Sequence, residues 1–220
     1  MDPATIFIIA ALVISIIIHE VAHGYMANWL GDPTARLAGR LTLNPISHID
    51  PIGSVLVPAF LFLSGTPLLF GWAKPVPYNP YNLNPKRRGF PAQSGDALVA
   101  AAGPGVNILI ALVFSVIIRY GMSAGFSAPF IDIAGYIVYI NILLACFNLI
   151  PIPPLDGSKI LGAFLPPRAE IKYREFLGRI EQYGFMATLI FIFVFMYIFM
   201  APFSAFVGMI FTALTGLGRF

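Results

Sequence analysis

The sequence predicts an α-helical polytopic membrane protein, and three observations support this class. Of its 220 residues, 58% are hydrophobic and only 10% are charged, whereas about a quarter of the residues of a soluble domain are charged. The apolar residues form five blocks, most of them long enough for a bilayer-spanning helix of about 20 residues. The 19 Pro and 20 Gly residues are typical of membrane helices that are broken at functional places. We expect about five to six membrane-embedded helical segments, with a short β-strand and a re-entrant region between the first two.

The first apolar block, 4–30, is expected to span the membrane and to carry a metal-binding motif. His19 and His23 lie four residues apart, so their imidazoles share one helix face and can bind a single ion. Glu20 lies about 100° around the helix, within reach of a water on that ion. An unpaired carboxylate in an apolar span costs about 2.5 to 3.5 kcal/mol, so Glu20 needs a partner or a cavity. The motif predicts zinc-dependent hydrolysis within the membrane. The alternative is that these polar side chains merely extend to the membrane–water interface.

The next segment alternates apolar residues with small or polar ones, which is the period of a β-strand. An unpaired strand edge binds an extended peptide by adding it as a further strand. We therefore expect this strand to hold an unwound substrate close to the metal. Its residues are Arg36, Leu37, Ala38, Gly39, Arg40, Leu41, Thr42 and Leu43.

The Lys and Arg residues indicate that block 51–70 is re-entrant. If this block enters and leaves on one side, and the C-terminus returns to that side, all of the 13 basic residues except Arg119 share one face. A full crossing would remove this bias. Pro58, Gly65 and Pro67 agree with a backbone that is broken and turns back. The resulting topology places the N-terminus outside and the histidine motif toward the cytoplasm.

The remaining blocks, 97–118, 130–150 and 185–217, complete the predicted bundle. Pro202 interrupts the last block, which is long enough for two short spans or for one bent helix. Segment 166–183 is charged and is expected to form a connecting helix on the cytoplasmic surface. We expect a single domain over 1–220, with a core at 4–165 and C-terminal helices at 168–218.

A catalytic zinc ion needs a third protein ligand, because it usually has three and keeps a fourth position open. Asp156 stands out among the carboxylates near apolar blocks. It follows Pro151, Pro153 and Pro154, which end the preceding helix and can aim the carboxylate sideways into the protein. From the residues alone, Asp156 is an equally good N-cap for a helix that begins at Gly157.

The composition excludes other kinds of site. There is no basic stripe with interleaved aromatic residues, so no nucleic-acid partner is expected. The basic cluster Lys86, Arg87 and Arg88 is better explained as a topology signal. The single cysteine, Cys146, rules out an intramolecular disulfide and a CxxC zinc site.

Three motifs together resemble the site-2 protease family of intramembrane zinc metalloproteases. They are the HExxH of the first helix, Gly-Pro-Gly-Val-Asn at 103–107, and the stretch from Asn148 to Asp156 and Gly157. Segments 43–51 and 71–77 further resemble the compact members, so neither a PDZ module nor a CBS domain is expected. The resemblance implies His19, His23 and Asp156 as ligands of one Zn²⁺ per chain, with Glu20 as general base.

The function implied is the hydrolysis of peptide bonds in or near transmembrane segments of membrane-protein substrates. Asn148, Asn107 and His48 are candidates for binding substrate or stabilising an oxyanion. The alternatives are helix-to-helix hydrogen bonds for the two asparagines and a turn-fixing hydrogen bond for His48. The expected partners are a transmembrane substrate, the lipid bilayer, and a second copy or an accessory membrane protein. The expected location is the cell membrane, with several spans.

Two competing functions are a catalytically inactive scaffold that binds transmembrane partners and a metal transporter. The intact Glu20 argues against a scaffold, which has no need of a costly carboxylate. A single polar cluster argues against a transporter, because a transport path needs further polar residues across the bilayer.

Overall fold

The computed structural model describes residues 3–63, 71–184, 190–191 and 193–218. Within them, four helices are long and apolar enough to cross a membrane: Ala4–Trp29, Ala92–Ala124, Ala128–Asn148 and Phe195–Thr215. A shorter apolar helix covers Pro51–Phe60. The structure therefore confirms a helical membrane protein with several spans, with four full-length candidates among the described residues.

The helices are numbered α1 to α8 in chain order. Their bounds are Pro3–Trp29 (α1), Thr34–Leu37 (α2), Val57–Leu63 (α3), Gly95–Ala124 (α4), Ala128–Asn148 (α5), Asp156–Phe164 (α6), Pro167–Gln182 (α7) and Met200–Thr215 (α8). Wider π-helical turns at Pro51–Leu56 and Phe195–Phe199 lead into α3 and α8. Short 3₁₀ turns occupy Pro45–His48, Pro80–Asn82, Pro85–Arg88 and Ala92–Ser94. Helix α7 forms where the charged connecting helix was predicted.

Helix α4 is the centre of the bundle and packs against α1, α5, α6 and α8. Its buried residues Ala111 and Ile118 meet Val138 of α5 and Val207 and Phe211 of α8. Small residues such as Ala111 let neighbouring helices approach closely, as is usual in membrane bundles. This packing fixes α1 against α4, and the motif histidines lie at that contact.

The last turn of α8 lies away from the histidine motif. Arg119, near the end of α4, donates hydrogen bonds to the carbonyl oxygens of Leu214 (2.6 Å) and Ala213 (2.7 Å). These carbonyls belong to the last turn of α8, so α8 ends beside the end of α4 that lies far from His23. The described part of the last apolar block supplies one full-length candidate span, Phe195–Thr215, and, contrary to our expectation for the C-terminus, the last turn of α8 does not return to the side of the motif.

The predicted strand at 36–43 does not form. Its first two residues belong to α2, and the amide of Arg40 donates to the carbonyl oxygen of Ala35 at 2.9 Å. Gly39 closes this turn with a φ of +66°, a left-handed conformation that suits glycine. Local hydrogen bonds at the end of a helix thus outweigh a period-two pattern of only eight residues. Because the segment forms no strand, it offers no strand edge for the expected pairing with an extended substrate.

The start of block 51–70 lies beside the described chain that follows the block. The amide of Trp72 donates to the carbonyl oxygen of Gly53 at 3.2 Å, and the hydroxyl of Ser54 donates to the carbonyl oxygen of Trp72 at 2.8 Å. A segment that crossed a bilayer would separate its ends by about 30 Å. Gly53 and Trp72 are therefore not on opposite sides of a bilayer, which agrees with the predicted re-entrant segment. Gly65 and Pro67, where we predicted the turn, lie outside the described residues.

Candidate metal centre

His19, His23 and Asp156 converge although 137 residues separate the first from the last. The Nε2 atoms of His19 and His23 lie 3.2 Å and 3.3 Å from one oxygen, Oδ2, of Asp156. One ligand atom from each residue fits within 4.8 Å, close enough for all three to hold one metal ion. The histidines share a face of α1, and Asp156 is the first residue of α6, directly after the proline-rich connection.

Each imidazole is held through its other nitrogen. His23 Nδ1 lies 2.7 Å from the carbonyl oxygen of Val99, and His19 Nδ1 lies 2.5 Å from Oδ1 of Asn107. A carbonyl oxygen only accepts hydrogen bonds, so both Nδ1 atoms carry a proton, and Nε2 is the nitrogen that each imidazole can offer to a metal ion after losing any proton there. Metal-binding histidines are typically oriented in this way. The two side chains are therefore oriented with Nε2 toward the place that a metal ion would occupy.

A buried chain of amides supports His19. Asn107 donates from Nδ2 to Oδ1 of Asn141 at 2.7 Å, and Asn141 donates from Nδ2 to the hydroxyl of Ser15 at 3.0 Å. Both asparagines are fully buried, and the chain of hydrogen bonds ties α1, α4 and α5 together. Asn107 therefore acts in a helix-to-helix network, the alternative that the sequence left open, and not as a donor to substrate.

Helix α4 passes the histidines at Gly103, where no side chain fits. An ideal Cβ at this position would overlap Nε2 of His23 and would lie 2.6 Å from Cε1 of His19. Gly105, in the same motif, has nothing within 4 Å of an ideal Cβ. The first glycine of the Gly-Pro-Gly motif is thus required by the close approach of the two imidazoles.

The carboxylate of Glu20 is hydrogen-bonded, as we expected for an acidic residue in an apolar helix. Its Oε2 accepts a hydrogen bond from the backbone amide of Val76 at 2.9 Å. Val76 is buried, and the chain next to it is fixed by Arg40, which donates from Nη2 to the carbonyl oxygen of Lys74 at 2.8 Å. Segment 71–77, which the sequence singled out only by resemblance, therefore lies over the motif and orients Glu20.

These groups surround a cavity of about 170 Å³. Its lining includes His19, Glu20, His23, Asp156 and Asn148. Asn148 donates from Nδ2 to the carbonyl oxygen of Leu144, one turn back in its own helix, at 3.0 Å. The volume is large enough for water. Of the predicted substrate or oxyanion residues, Asn148 is the one that the structure brings to the cavity.

His48 lies elsewhere. It is 3% exposed, and its Nε2 donates to the carbonyl oxygen of Thr42 at 2.8 Å. This is the turn-fixing hydrogen bond that the sequence analysis gave as the alternative. His48 lines a second, mostly apolar cavity of about 480 Å³ that also includes Ile9, Val13 and Trp72.

Two polar residues of the zinc-motif cavity were missed by the sequence analysis. Lys159 and Tyr78 both line it, and Lys159 donates from Nζ to the hydroxyl of Tyr78 at 3.2 Å. The Tyr78 hydroxyl in turn lies 3.4 Å from Oδ1 of Asp96. The spacing Asp156 to Lys159, one helical turn, was the available signal, because residues three apart share a helix face.

The electrostatics of the cavity keep its charged groups ionised. Burial raises the pKa of Asp156, but its hydrogen bonds with His19 and His23 lower the pKa further, to about 2. Lys159 is exposed as a residue, yet the partial desolvation of its ammonium group lowers its pKa, and Tyr78 and nearby carboxylates outweigh this and raise it. At neutral pH the cavity therefore contains an anionic oxygen ligand and a cationic donor.

Comparison with known proteins identifies the family. The sequence model of peptidase family M50 matches residues 123–195. A protein of Bacillus subtilis (strain 168) named "Putative zinc metalloprotease YwhC" is 36% identical over 209 residues, which cover 91% of this chain and 83% of that protein. The chain belongs to peptidase family M50. This is the site-2 protease family, so the resemblance is confirmed, and the chain is a zinc metalloprotease.

Two further proteins match over a smaller share of their length. "Putative zinc metalloprotease Rip2" of Mycolicibacterium smegmatis is 25% identical over 185 residues, 84% of this chain and 66% of that protein. "Putative zinc metalloprotease MJ0611" of Methanocaldococcus jannaschii is 41% identical over 63 residues, 29% of this chain and 31% of that protein. No solved structure matches this M50 chain.

Proposed function

We propose that this M50 peptidase is an intramembrane endopeptidase that hydrolyses peptide bonds in or near transmembrane segments of membrane proteins. The observation that carries the proposal is the meeting of His19, His23 and Asp156 with Glu20 in one cavity. Three of these residues stand in an apolar helix long enough to span a membrane. A site within a membrane-spanning helix favours a substrate that is itself embedded in the membrane over a soluble one.

The donor set fits a catalytic zinc ion. Two neutral imidazoles that present Nε2 lone pairs and one anionic carboxylate make three protein ligands, which leaves a fourth position open. We assign His19, His23 and Asp156 as these ligands. When bound, zinc acts as a Lewis acid and makes water a nucleophile near neutral pH.

Glu20 is assigned as the general base. The amide of Val76 fixes Oε2, so we give the proton transfers to the other oxygen, Oε1. This oxygen accepts a proton from the attacking water and later gives it to the amine nitrogen as the peptide C–N bond breaks. An acid or base that is positioned in this way typically contributes a rate factor of about 10² to 10⁴.

The distribution of basic residues supports a cavity that faces the cytoplasm. The loop segments that follow α1 and precede α4 carry Arg36, Arg40, Lys74 and the 86–88 cluster, and they lie at the end of α1 that holds the motif. Cytoplasmic loops are enriched in Lys and Arg. The proposal is therefore a protein of the cell membrane whose substrates enter from the bilayer and are cut near its cytoplasmic face. Whether a second copy or an accessory protein takes part stays a prediction.

The test compares Glu20→Gln with Glu175→Gln, a matched control on the exposed surface of α7. Each purified variant is assayed for zinc content and for cleavage of a single-span substrate. We expect about one zinc per chain in both, normal cleavage by the control, and a loss of at least about 10² in the rate for Glu20→Gln. Equal cleavage by both variants would refute the assigned mechanism. A wild-type protein that binds zinc and the substrate but never cleaves it would favour the scaffold.

A further inference from the structure

Peptide hydrolysis places negative charge on the carbonyl oxygen, and a donor aimed at this oxygen is worth about 10² to 10³ in rate. The candidates from the sequence supply few such donors. Asn107 is fully buried between His19 and Asn141, and His48 lines a different cavity. The side-chain amide of Asn148 donates one of its two N–H groups to its own helix, so it can offer a substrate one neutral donor. A stronger donor has to be found among the other residues that line the cavity.

Lys159 is placed to be that donor. It lies on the same face of α6 as Asp156, one turn further along, and helical side chains lean back toward the N-terminus of their helix. The side chain thus extends toward the end of α6 that carries Asp156, and it lines the cavity there. An ammonium group has three donors, and the hydroxyl of Tyr78 accepts one. Two N–H groups are left for a substrate oxygen.

Tyr78 holds this ammonium group in place. Its hydroxyl is 3.2 Å from Nζ of Lys159, and Nζ lies 5.2 Å from the centre of its ring. The ring face attracts a cation, and the hydroxyl fixes its direction. Tyr78 comes two residues after Val76, whose amide orients Glu20. One short stretch of chain thus positions both the proposed base and the cation.

We propose that Lys159 is a catalytic residue that stabilises the oxyanion of the substrate and that Tyr78 is its positioning residue. The proposal rests on the proposed endopeptidase function. As water attacks the carbonyl carbon, its proton passes to Glu20, and the C=O π electrons move to the oxygen, which accepts a hydrogen bond from Lys159. When the C=O bond re-forms, the C–N bond breaks and the amine nitrogen takes the proton from Glu20. Lys159 keeps its own proton throughout.

The first measurement is steady-state cleavage of a single-span substrate, together with zinc content. Lys159→Met should lower kcat by about 10² to 10³, with little change in KM or zinc per chain. Tyr78→Phe keeps the ring but loses the hydroxyl, so it should lower kcat by about tenfold. Lys159→Arg should recover part of the loss. The matched controls, Lys172→Met on α7 and Tyr81→Phe at a 97% exposed side chain, should behave as wild type.

A second measurement separates an oxyanion role from a purely structural tie between Tyr78 and Lys159. A phosphinic peptide carries a charged tetrahedral group that mimics the transition state, so its affinity should fall by the same factor as kcat/KM in each variant. Binding of the uncut substrate should not change. A Lys159→Met variant with wild-type affinity for the phosphinic peptide overturns the proposal, whatever its cleavage rate.

The variants distinguish failure of the Lys159 assignment from failure of the proposed endopeptidase function. If Glu20→Gln cleaves as fast as wild type, the endopeptidase mechanism itself fails. If Glu20→Gln is inactive while Lys159→Met keeps its kcat to within threefold, only the assignment of Lys159 is overturned. A loss of phosphinic-peptide affinity in Asn148→Ala, with none in Lys159→Met, would move the donor role to Asn148.

Discussion

A single methyl group at Gly103 should weaken the metal centre. An alanine Cβ there would lie 2.6 Å from Cε1 of His19 and would overlap Nε2 of His23. Ordinary contacts of a Cβ begin at 3.4 Å, so the imidazole of His19 must move by about 0.8 Å. The hydrogen bonds of the two Nδ1 atoms, to Asn107 and to the carbonyl of Val99, oppose this movement.

The size of the effect follows from this displacement. Functional constellations tolerate shifts of only about 0.5 Å, and overpacking a tight site costs about 1 to 3 kcal/mol. Because 1.4 kcal/mol corresponds to a factor of ten, zinc affinity should fall by about 5- to 150-fold if the whole cost opposes zinc binding. Gly103→Ala also gains about 0.5 to 1 kcal/mol of helix stability, as any Gly→Ala change in a helix interior does. A control with the same backbone gain removes that contribution from the comparison.

Gly105→Ala is that control, because an ideal Cβ at Gly105 meets nothing within 4 Å. Both variants are purified in detergent, stripped of metal and titrated with zinc against a chelator of known affinity, and their cleavage rates are measured at saturating zinc. Gly105→Ala should match wild type in both assays. Gly103→Ala should lose zinc affinity and cleavage rate while it keeps the helical content of the fold. Equal zinc affinity for the two variants would refute the proposed contact between α4 and the metal ligands.

Two further changes test the support of the site. Asn107→Ala removes the acceptor of His19 Nδ1 and should lower zinc affinity by about 10- to 100-fold, measured by the same titration; wild-type affinity would contradict the orienting role. The second change tests the loop after α1, where Asp32 accepts hydrogen bonds from the amide of Asn79 and from Nδ2 of Asn82. Burial raises the pKa of Asp32, but these bonds and those from Thr34 lower the pKa below its usual value. Its stabilising contribution should therefore be full above about pH 4 and be lost as the pH falls through the lower folded-state pKa. In thermal unfolding, Asp32→Asn should be less stable than wild type at pH 7, and the difference should shrink below pH 4; a difference independent of pH would contradict this.

The sequence predicted the parts of the site that lie on one helix. His19, Glu20 and His23 are close because of helical spacing alone, so no tertiary information was needed. Asp156 was ambiguous from the residues, because the same Asp-Gly sequence also suits an N-cap. The family resemblance implied its role as a ligand, and the structure brings its carboxylate to both imidazoles.

The parts that the sequence did not predict depend on contacts between distant segments. Val76 and Tyr78 reach the motif because segment 71–78 lies over α1, although it is far from α1 in sequence. Gly103 was recognised as part of a motif, but its reason, two imidazoles against α4, exists only in the packed bundle. The strand prediction was wrong for a local reason. The turn at Gly39 determines the conformation of this short segment, whatever its period-two pattern.

The most direct test of the proposed zinc centre is the position of the metal in the zinc-loaded protein, determined from anomalous scattering at the zinc edge. The account predicts one zinc per chain, with Nε2 of His19, Nε2 of His23 and a carboxylate oxygen of Asp156 at about 2.0 to 2.2 Å. Glu20 should lie close to the ion without binding it. A zinc ion bound elsewhere, or one bound by Glu20 while Asp156 points away, would contradict the account.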